Sequence, residues 1–177
     1  MVPVARRDEL YRRLEAALAD PGQASAFESL GGDSYTDDRA PRYRSALKSW
    51  FKRHTGKPAT FSEHLELSET LFNRGLYFDT HEHLESVWRK SGGLERLALQ
   101  GLIQLAAAFH KLELEPTALE GALYLLEKGL EKARACEALL GFDIAEGLAL
   151  DLQPVQLALK AGHFSLMDVP PLRWTED

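Results

Sequence analysis

The chain has few of the residues and patterns that mark several common protein classes. It contains one cysteine, Cys136, which excludes an internal disulfide and a metal site built from several cysteines. No apolar run reaches the roughly 18 residues that a membrane-spanning helix needs. The N-terminal segment is charged from Arg6 onward and lacks the apolar core of a signal peptide. We therefore expect a soluble, cytoplasmic protein without a membrane partner.

Strand patterns are missing as well. Alternating runs of β-branched residues do not occur, whereas helix-forming residues dominate. Apolar residues make up 45% of the 177-residue chain, which is enough for one domain with a core. The sequence predicts an all-α fold: a compact bundle of five to six helices around a buried central helix at about 94–113, with an N-terminal helical extension. The predicted divisions are an extension (1–57), a core domain (58–165) and a tail (166–177).

Charge is distributed unevenly within the net charge of −6. Residues 1–57 carry 11 Lys and Arg against 8 Asp and Glu, whereas the remainder carries 10 against 19. Because an acidic body repels phosphates, we expect no nucleic-acid partner. The segment 39–57 is basic with interleaved aromatics, a pattern that can bind nucleic acid. The interpretation we favour is that its aromatic face packs against the acidic body.

Capping residues and glycines predict the helix boundaries. In the extension, residues 5–19 and 42–54 have helical spacing, and 20–41 are typical of a loop. In the core, Ser62 is the predicted N-cap of a helix that ends at a left-handed Gly75. Further helices are predicted at about 77–90, 94–113, 116–140 and 154–160, the last two starting at Pro116 and Pro154, and the final VPPLRWTED segment is expected to end exposed.

The sequence THEHLESVWR places an unusual set of side chains on one helical face. His81, Glu85 and Arg89 follow one another at intervals of four residues, and Trp88 lies seven residues after His81. Glu82 lies one step round the helix. A stripe that mixes charges with a tryptophan is typical of a half-buried surface on which the charges are paired.

The predicted partner of this stripe is the central helix at 94–113, which offers Gln104 as a lone polar group in an apolar run. Together these residues predict a polar pocket that binds a small molecule. Its candidate residues are His81, Glu82, Glu85, Trp88, Arg89 and Gln104. If the pocket is catalytic, His81 or Glu82 is the expected base, Arg89 the anion holder and Trp88 a wall.

Two other interpretations of the cluster stay open. In one, the cluster is structural: Glu85 pairs with Arg89 and the network fixes how two helices cross. We expect the two carboxylates to differ: Glu85→Ala should destabilise the protein strongly, whereas Glu82→Ala should be nearly neutral, which leaves Glu82 free to face a ligand. In the other, His81 and Glu85 bind a metal, joined by His110 or His64. Because only two ligands can be assembled from the sequence, we expect no stoichiometric metal and no cofactor.

The ordered motifs resemble a known family. LFNRGLYFDTHEHLESVWR at 71–89 and GLIQLAAAFHKLE at 101–113, followed by the helix with Gly121 and Ala122, are similar to the bacterial and archaeal family called domain of unknown function 309. The similarity covers roughly residues 62–160 and leaves residues 1–57 outside. It implies an all-helical compact bundle with a cluster built from the motif residues, and it implies no reaction.

Two functions therefore remain for this chain. One is a helical-bundle protein whose His/Glu/Arg/Trp pocket binds a small ligand, with or without catalysis. The alternative is a non-catalytic structural or interaction module, homodimeric, in which the polar cluster only fixes helix packing.

Overall fold

The computed structural model describes residues 42, 45–47, 50 and 59–175 of the chain. In this part every regular element is a helix and no strand occurs, so the predicted all-α class is confirmed. The chain divides into two compact units, residues 1–76 and 77–177. The helix predicted at 5–19 and the loop predicted at 20–41 lie outside the described residues. The domain boundary predicted after residue 57 stays a prediction.

The first unit contains helix α1, Phe61–Phe72, whose start is set by a capping box. The Thr60 hydroxyl accepts a hydrogen bond from the Glu63 backbone at 3.3 Å, and the Glu63 carboxylate accepts one from the Thr60 backbone at 2.6 Å. The prediction that Ser62 caps this helix is wrong. Ser62 has no glutamate three residues later, whereas Thr60 completes the reciprocal pair and leaves Ser62 inside the first turn.

The end of α1 is a left-handed glycine, as predicted. Gly75 has a φ of +70° and its N–H donates to the Phe72 carbonyl at 2.8 Å. The N–H of Leu76 donates to the Leu71 carbonyl at 3.1 Å. These two bonds satisfy carbonyls of the last turn that have no helical donor.

Residues 42, 45–47 and 50 are helical, in agreement with the helix predicted at 42–54. Leu47 and Trp50 are buried, which supports the interpretation that the aromatic face of this segment packs. Arg42 Nη1 donates to the Arg74 carbonyl at 3.1 Å, and Arg74 Nη1 donates to the Arg42 carbonyl at 3.4 Å. One cation of the basic segment thus stabilises the C-terminal end of α1, where carbonyl dipoles favour positive charge.

Over residues 77–175 the second unit has five α-helices and one short 3-10 helix. In chain order they are α2 (Tyr77–Trp88), α3 (Gly93–Leu114), α4 (Leu119–Ala135), α5 (Glu137–Leu140), α6 (Phe142–Lys160) and the 3-10 helix Leu166–Asp168. None of the helices in the described part of the chain is both long enough and apolar enough to cross a membrane.

Helix α3 is the centre of the second unit, as predicted. It packs against α2 and α4 and also contacts α5 and the 3-10 helix. Its fully buried residues include Leu99, Leu102, Leu105 and Phe109. The helix is not buried on every side, because Ile103, Gln104 and Ala107 remain partly exposed. Two main neighbours cover most of a helix but leave a strip uncovered.

Two glycines let α3 and α4 approach closely. A Cβ added to Gly101 would lie 3.0 Å from the Gly129 carbonyl oxygen. A Cβ added to Gly129 would lie 2.6 Å from Leu105 Cδ2 and 2.9 Å from the Gly101 carbonyl oxygen. Gly101 of α3 thus faces Gly129 of α4. We call this contact the glycine seam.

Two predicted helix starts are corrected by the structure. The helix predicted from Pro116 begins at Leu119 and is broken at Cys136, after which α5 forms a separate turn. The helix predicted to start at Pro154 begins at Phe142 and continues through the proline. Proline removes one backbone hydrogen bond, but buried residues at helical spacing on both sides of it hold the helix together: Leu148, Leu152, Val155 and Leu159.

The last described segment was expected to be exposed, but two of its side chains are buried. Leu172 and Trp174 are each 1% exposed. The prolines and charges of this segment favour exposure to solvent. Burial of the two large apolar side chains nevertheless holds the segment against the protein.

Candidate functional site

The polar face predicted on α2 is present. His81 Nδ1 lies 3.2 Å from Glu82 Oε1, and Arg89 Nη2 lies 3.1 Å from Glu85 Oε2. The second pair has the spacing of four residues that brings side chains together on a helix. We call His81, Glu82 and Glu85 the α2 triad.

The α2 triad brings three potential metal or hydrogen-bonding ligands together. One ring nitrogen of His81 and one carboxylate oxygen from each glutamate lie within 4.8 Å of one another. The side chains of these three residues are 29–31% exposed. They are therefore reachable from solvent, yet partly held by the helix.

The ion pair between Glu85 and Arg89 lies at the surface, since the Arg89 side chain is 65% exposed. Exposed pairs at this spacing contribute about 0.3–0.5 kcal/mol. The exposure of Arg89 lowers the destabilisation that we expect for Glu85→Ala. Glu82 also differs from the expectation, because it contacts His81 rather than standing clear of other side chains.

Trp88 closes one end of this face. The guanidinium of Arg96 lies over the Trp88 ring, with its central carbon 3.9 Å from the ring centroid. This distance is within the range of a cation–π contact. The indole N–H of Trp88 is buried and has no hydrogen-bond partner among the described residues. The sequence does not predict the Arg96 contact, because Arg96 lies beyond the glycine turn at 92–93.

Gln104 makes a different contact from the one predicted. Its side-chain oxygen accepts a hydrogen bond from Lys132 Nζ on α4 at 2.9 Å. Gln104 thus links α3 to α4. The structure does not bring it to the α2 triad.

His110 belongs to a second histidine–carboxylate pair. Its Nδ1 lies 3.1 Å from Glu113 Oε2, and its ring stacks on Phe78 with centroids 5.0 Å apart. The proposed role of His110 as a further ligand beside His81 therefore finds no support in these contacts. His64, the other histidine considered, belongs to the first unit.

Three polar residues of α2 were missed by the sequence reasoning. Asp79, Thr80 and His83 are each at most 1% exposed. Buried polar groups are almost always hydrogen-bonded, so these side chains form a polar part of the core. The spacing of four between Asp79 and His83 is the signal that could have found them.

A cleft of about 510 Å³ lies elsewhere in the second unit, between α6 and the segment that follows it. Its lining residues are Pro154, Val155, Ala158, His163, Phe164, Ser165 and Asp168. It contains none of the six predicted pocket residues.

Comparison with known proteins identifies one family. Residues 67–123 match the family model described as Domain of unknown function (DUF309). The resemblance read from the sequence is thus confirmed over this stretch, which includes all six predicted site residues. No curated protein and no solved structure matches the chain.

Proposed function

We propose that the α2 triad binds a small cationic ligand, and that a divalent transition-metal ion fits it best. The observation that carries the proposal is the convergence of an imidazole nitrogen and two carboxylate oxygens within 4.8 Å. Imidazole and carboxylate are ligands that zinc and related ions accept. Three protein ligands are also the number found in zinc sites that keep an open position.

The sequence alone supplied two of these ligands, His81 and Glu85. We propose Glu82 as the third ligand, because its carboxylate lies 3.2 Å from the His81 ring. With Glu82 the proposed site has three ligands, whereas the expectation of no metal rested on two. We still expect no stoichiometric metal in purified protein, because three partly exposed ligands on one helix would bind an ion too weakly to retain it through purification.

Binding requires Glu85 to exchange Arg89 for the ligand. This exchange is inexpensive, because the ion pair is exposed and contributes only about 0.3–0.5 kcal/mol. Arg89 then swings into solvent without leaving a buried charge behind. A buried pair would resist such an exchange by several kcal/mol.

The neighbouring tryptophan favours a metal over an organic ammonium. An ammonium ligand would use the Trp88 ring face, but Arg96 already occupies that face at 3.9 Å. A metal ion needs only the nitrogen and oxygen ligands.

The alternative function, in which the cluster only fixes helix packing, receives less support. The His81–Glu82 and Glu85–Arg89 contacts both lie within the segment 81–89. These two contacts by themselves do not determine how α2 crosses another helix. The Gln104–Lys132 hydrogen bond does join two helices, but it lies between α3 and α4.

Calorimetric titration of the full chain with Zn²⁺ and Mn²⁺ tests the proposal. We expect one binding event per chain, weakened at least about tenfold by His81→Ala and by Glu85→Gln. His110→Ala is the matched control, because it removes a histidine that also pairs with a carboxylate. We expect it to leave the affinity unchanged.

Two results would overturn the proposal. One is the absence of binding up to millimolar metal. The other is equal loss of affinity in the His81 and His110 variants, which would indicate unspecific binding to surface histidines. Circular dichroism of each variant establishes that the helices are intact.

A further inference from the structure

Helix α6 exposes a line of apolar residues. Leu150 and Leu157 are 60% and 62% exposed, and the exposed Pro154 lies between them. Gly147 and Ala161 continue the line by one turn at each end. The intervals of three and four residues are those of the apolar seam of a coiled coil. We call these five residues the α6 stripe.

The residue pattern of the α6 stripe is symmetric about its centre. From its centre at Pro154, the next position on either side is a leucine, and the one beyond is a small residue, Gly147 or Ala161. A two-fold symmetric interface brings residue i of one copy to residue j of the other, and j to i. In an antiparallel pair of α6 helices, Leu150 would therefore meet the partner's Leu157.

The charges beside the stripe have the same symmetry. Glu146, Gln153 and Lys160 are exposed and follow one another at intervals of seven, so they lie along one flank. In an antiparallel pair this flank faces its own copy. Glu146 would then lie beside the partner's Lys160, and Gln153 beside the partner's Gln153. Both charged contacts join opposite signs.

We propose that the α6 stripe is the interface of a homodimer in which two copies of α6 pack antiparallel about a two-fold axis near Gln153 and Pro154. The occupant of this surface is a second copy of the chain, because both the apolar pattern and the charge pattern complement themselves. The cleft described above adjoins the stripe, since Pro154 belongs to both.

The interface is small, and the dimer is correspondingly weak. Stable specific interfaces bury about 1,200–2,000 Å² in total, which exceeds what a few turns of paired helix supply. We therefore expect a concentration-dependent equilibrium between monomer and dimer. Lys160 also pairs with Glu127 at 3.2 Å. This exposed pair does not block the interface, because an ammonium group has three donors and can serve both carboxylates.

Sedimentation velocity of the full chain over a range of concentrations tests the surface. We expect dimerisation, with Leu150→Glu and Leu157→Glu each raising the dissociation constant by about a hundredfold, because each change enters the interface twice. Leu114→Glu is the matched control: Leu114 is 72% exposed at the end of α3, and we expect its replacement to leave dimerisation unchanged. All three positions are exposed, so the variants should fold.

Charge exchange tests the antiparallel arrangement. Glu146→Lys and Lys160→Glu should each weaken the dimer, and the double variant should restore it. A cysteine at position 153 should form a disulfide between copies, because this position lies beside the axis. A protein that stays monomeric at high concentration would overturn the proposal. So would a dimer that is indifferent to the Leu150 and Leu157 changes, or a double variant no better than the single ones.

Discussion

The glycine seam and the polar face of α2 differ in how tightly their residues are packed. At the seam, a single added carbon on Gly129 would lie within 3 Å of both a side chain and a backbone oxygen. On the polar face, the Glu85–Arg89 ion pair lies at the surface, with the Arg89 side chain 65% exposed. Packing at the seam is therefore costly to change, whereas the α2 triad can change its contacts at little cost. The region whose contacts change at little energetic cost is the one at which we propose a ligand binds.

The largest effect is expected at the seam. Gly129→Ala should lower the free energy of unfolding by about 1–3 kcal/mol, because overpacking pushes α3 and α4 apart. Gly147→Ala is the matched control, since its added Cβ would have no heavy atom within 4 Å apart from its chain neighbours and the nearby backbone of its own helix. Alanine in that helix should stabilise by about 0.5–1 kcal/mol. Urea unfolding of dilute protein measures both; equal stability of the two variants would contradict the close approach.

A pH-dependent effect is expected at the end of α4. Cys136 is fully buried and its thiol donates to the Leu94 carbonyl at 3.6 Å; burial raises the pKa of this thiol. The unfolded chain therefore loses the thiol proton at a lower pH than the folded one. The stability contribution is complete below the ordinary pKa of about 8.5 and is lost as the pH rises through the folded value.

Urea unfolding at pH 7 and pH 10 measures this decline, with Cys136→Ala as the control. The alanine variant should lose less stability between the two pH values than the parent chain. Labelling of the native thiol should also be slow and follow local opening. Rapid stoichiometric labelling of folded protein would show that the thiol is accessible and would remove the basis of this prediction.

The smallest effects are expected on the polar face. Glu85→Ala and Glu82→Ala should each change the free energy of unfolding by less than about 1 kcal/mol, because ion pairs that solvent reaches contribute little to stability. Arg89→Ala should match Glu85→Ala, because each removes the same pair. A loss of several kcal/mol for Glu85→Ala alone would mean that the face helps to hold the fold, and the contrast with the seam would fail.

The fold was largely predictable because it depends on local periodicity. The apolar run at 94–113 predicts a central helix, and Gly75 predicts the left-handed end of α1; both are confirmed. The failures arise where a local signal meets tertiary packing. Pro154 is typical of a helix start, but buried residues on either side carry α6 through it. Thr60 and Ser62 are both good caps, and the glutamate at position 63 decides between them.

The candidate site was predictable only within one helix. The spacing of Glu85 and Arg89 predicts their contact, and the structure has it. Gln104 was assigned to the same pocket because it stands alone in an apolar run, yet it bonds to Lys132. Which neighbour a helix face meets depends on the crossing of helices, which sequence spacing does not determine. The Arg96–Trp88 contact was missed for the same reason.

The three tryptophans of the chain differ in their surroundings, and this gives the protein an optical signal of its own. Trp50 and Trp174 are 2% and 1% exposed, whereas Trp88 is half-buried at the end of the α2 triad. Collisional quenchers such as acrylamide should therefore reach Trp88 first. A paramagnetic ion held by His81 and Glu85 would quench the same indole, so the fluorescence of the unlabelled chain reports on the occupancy of this face.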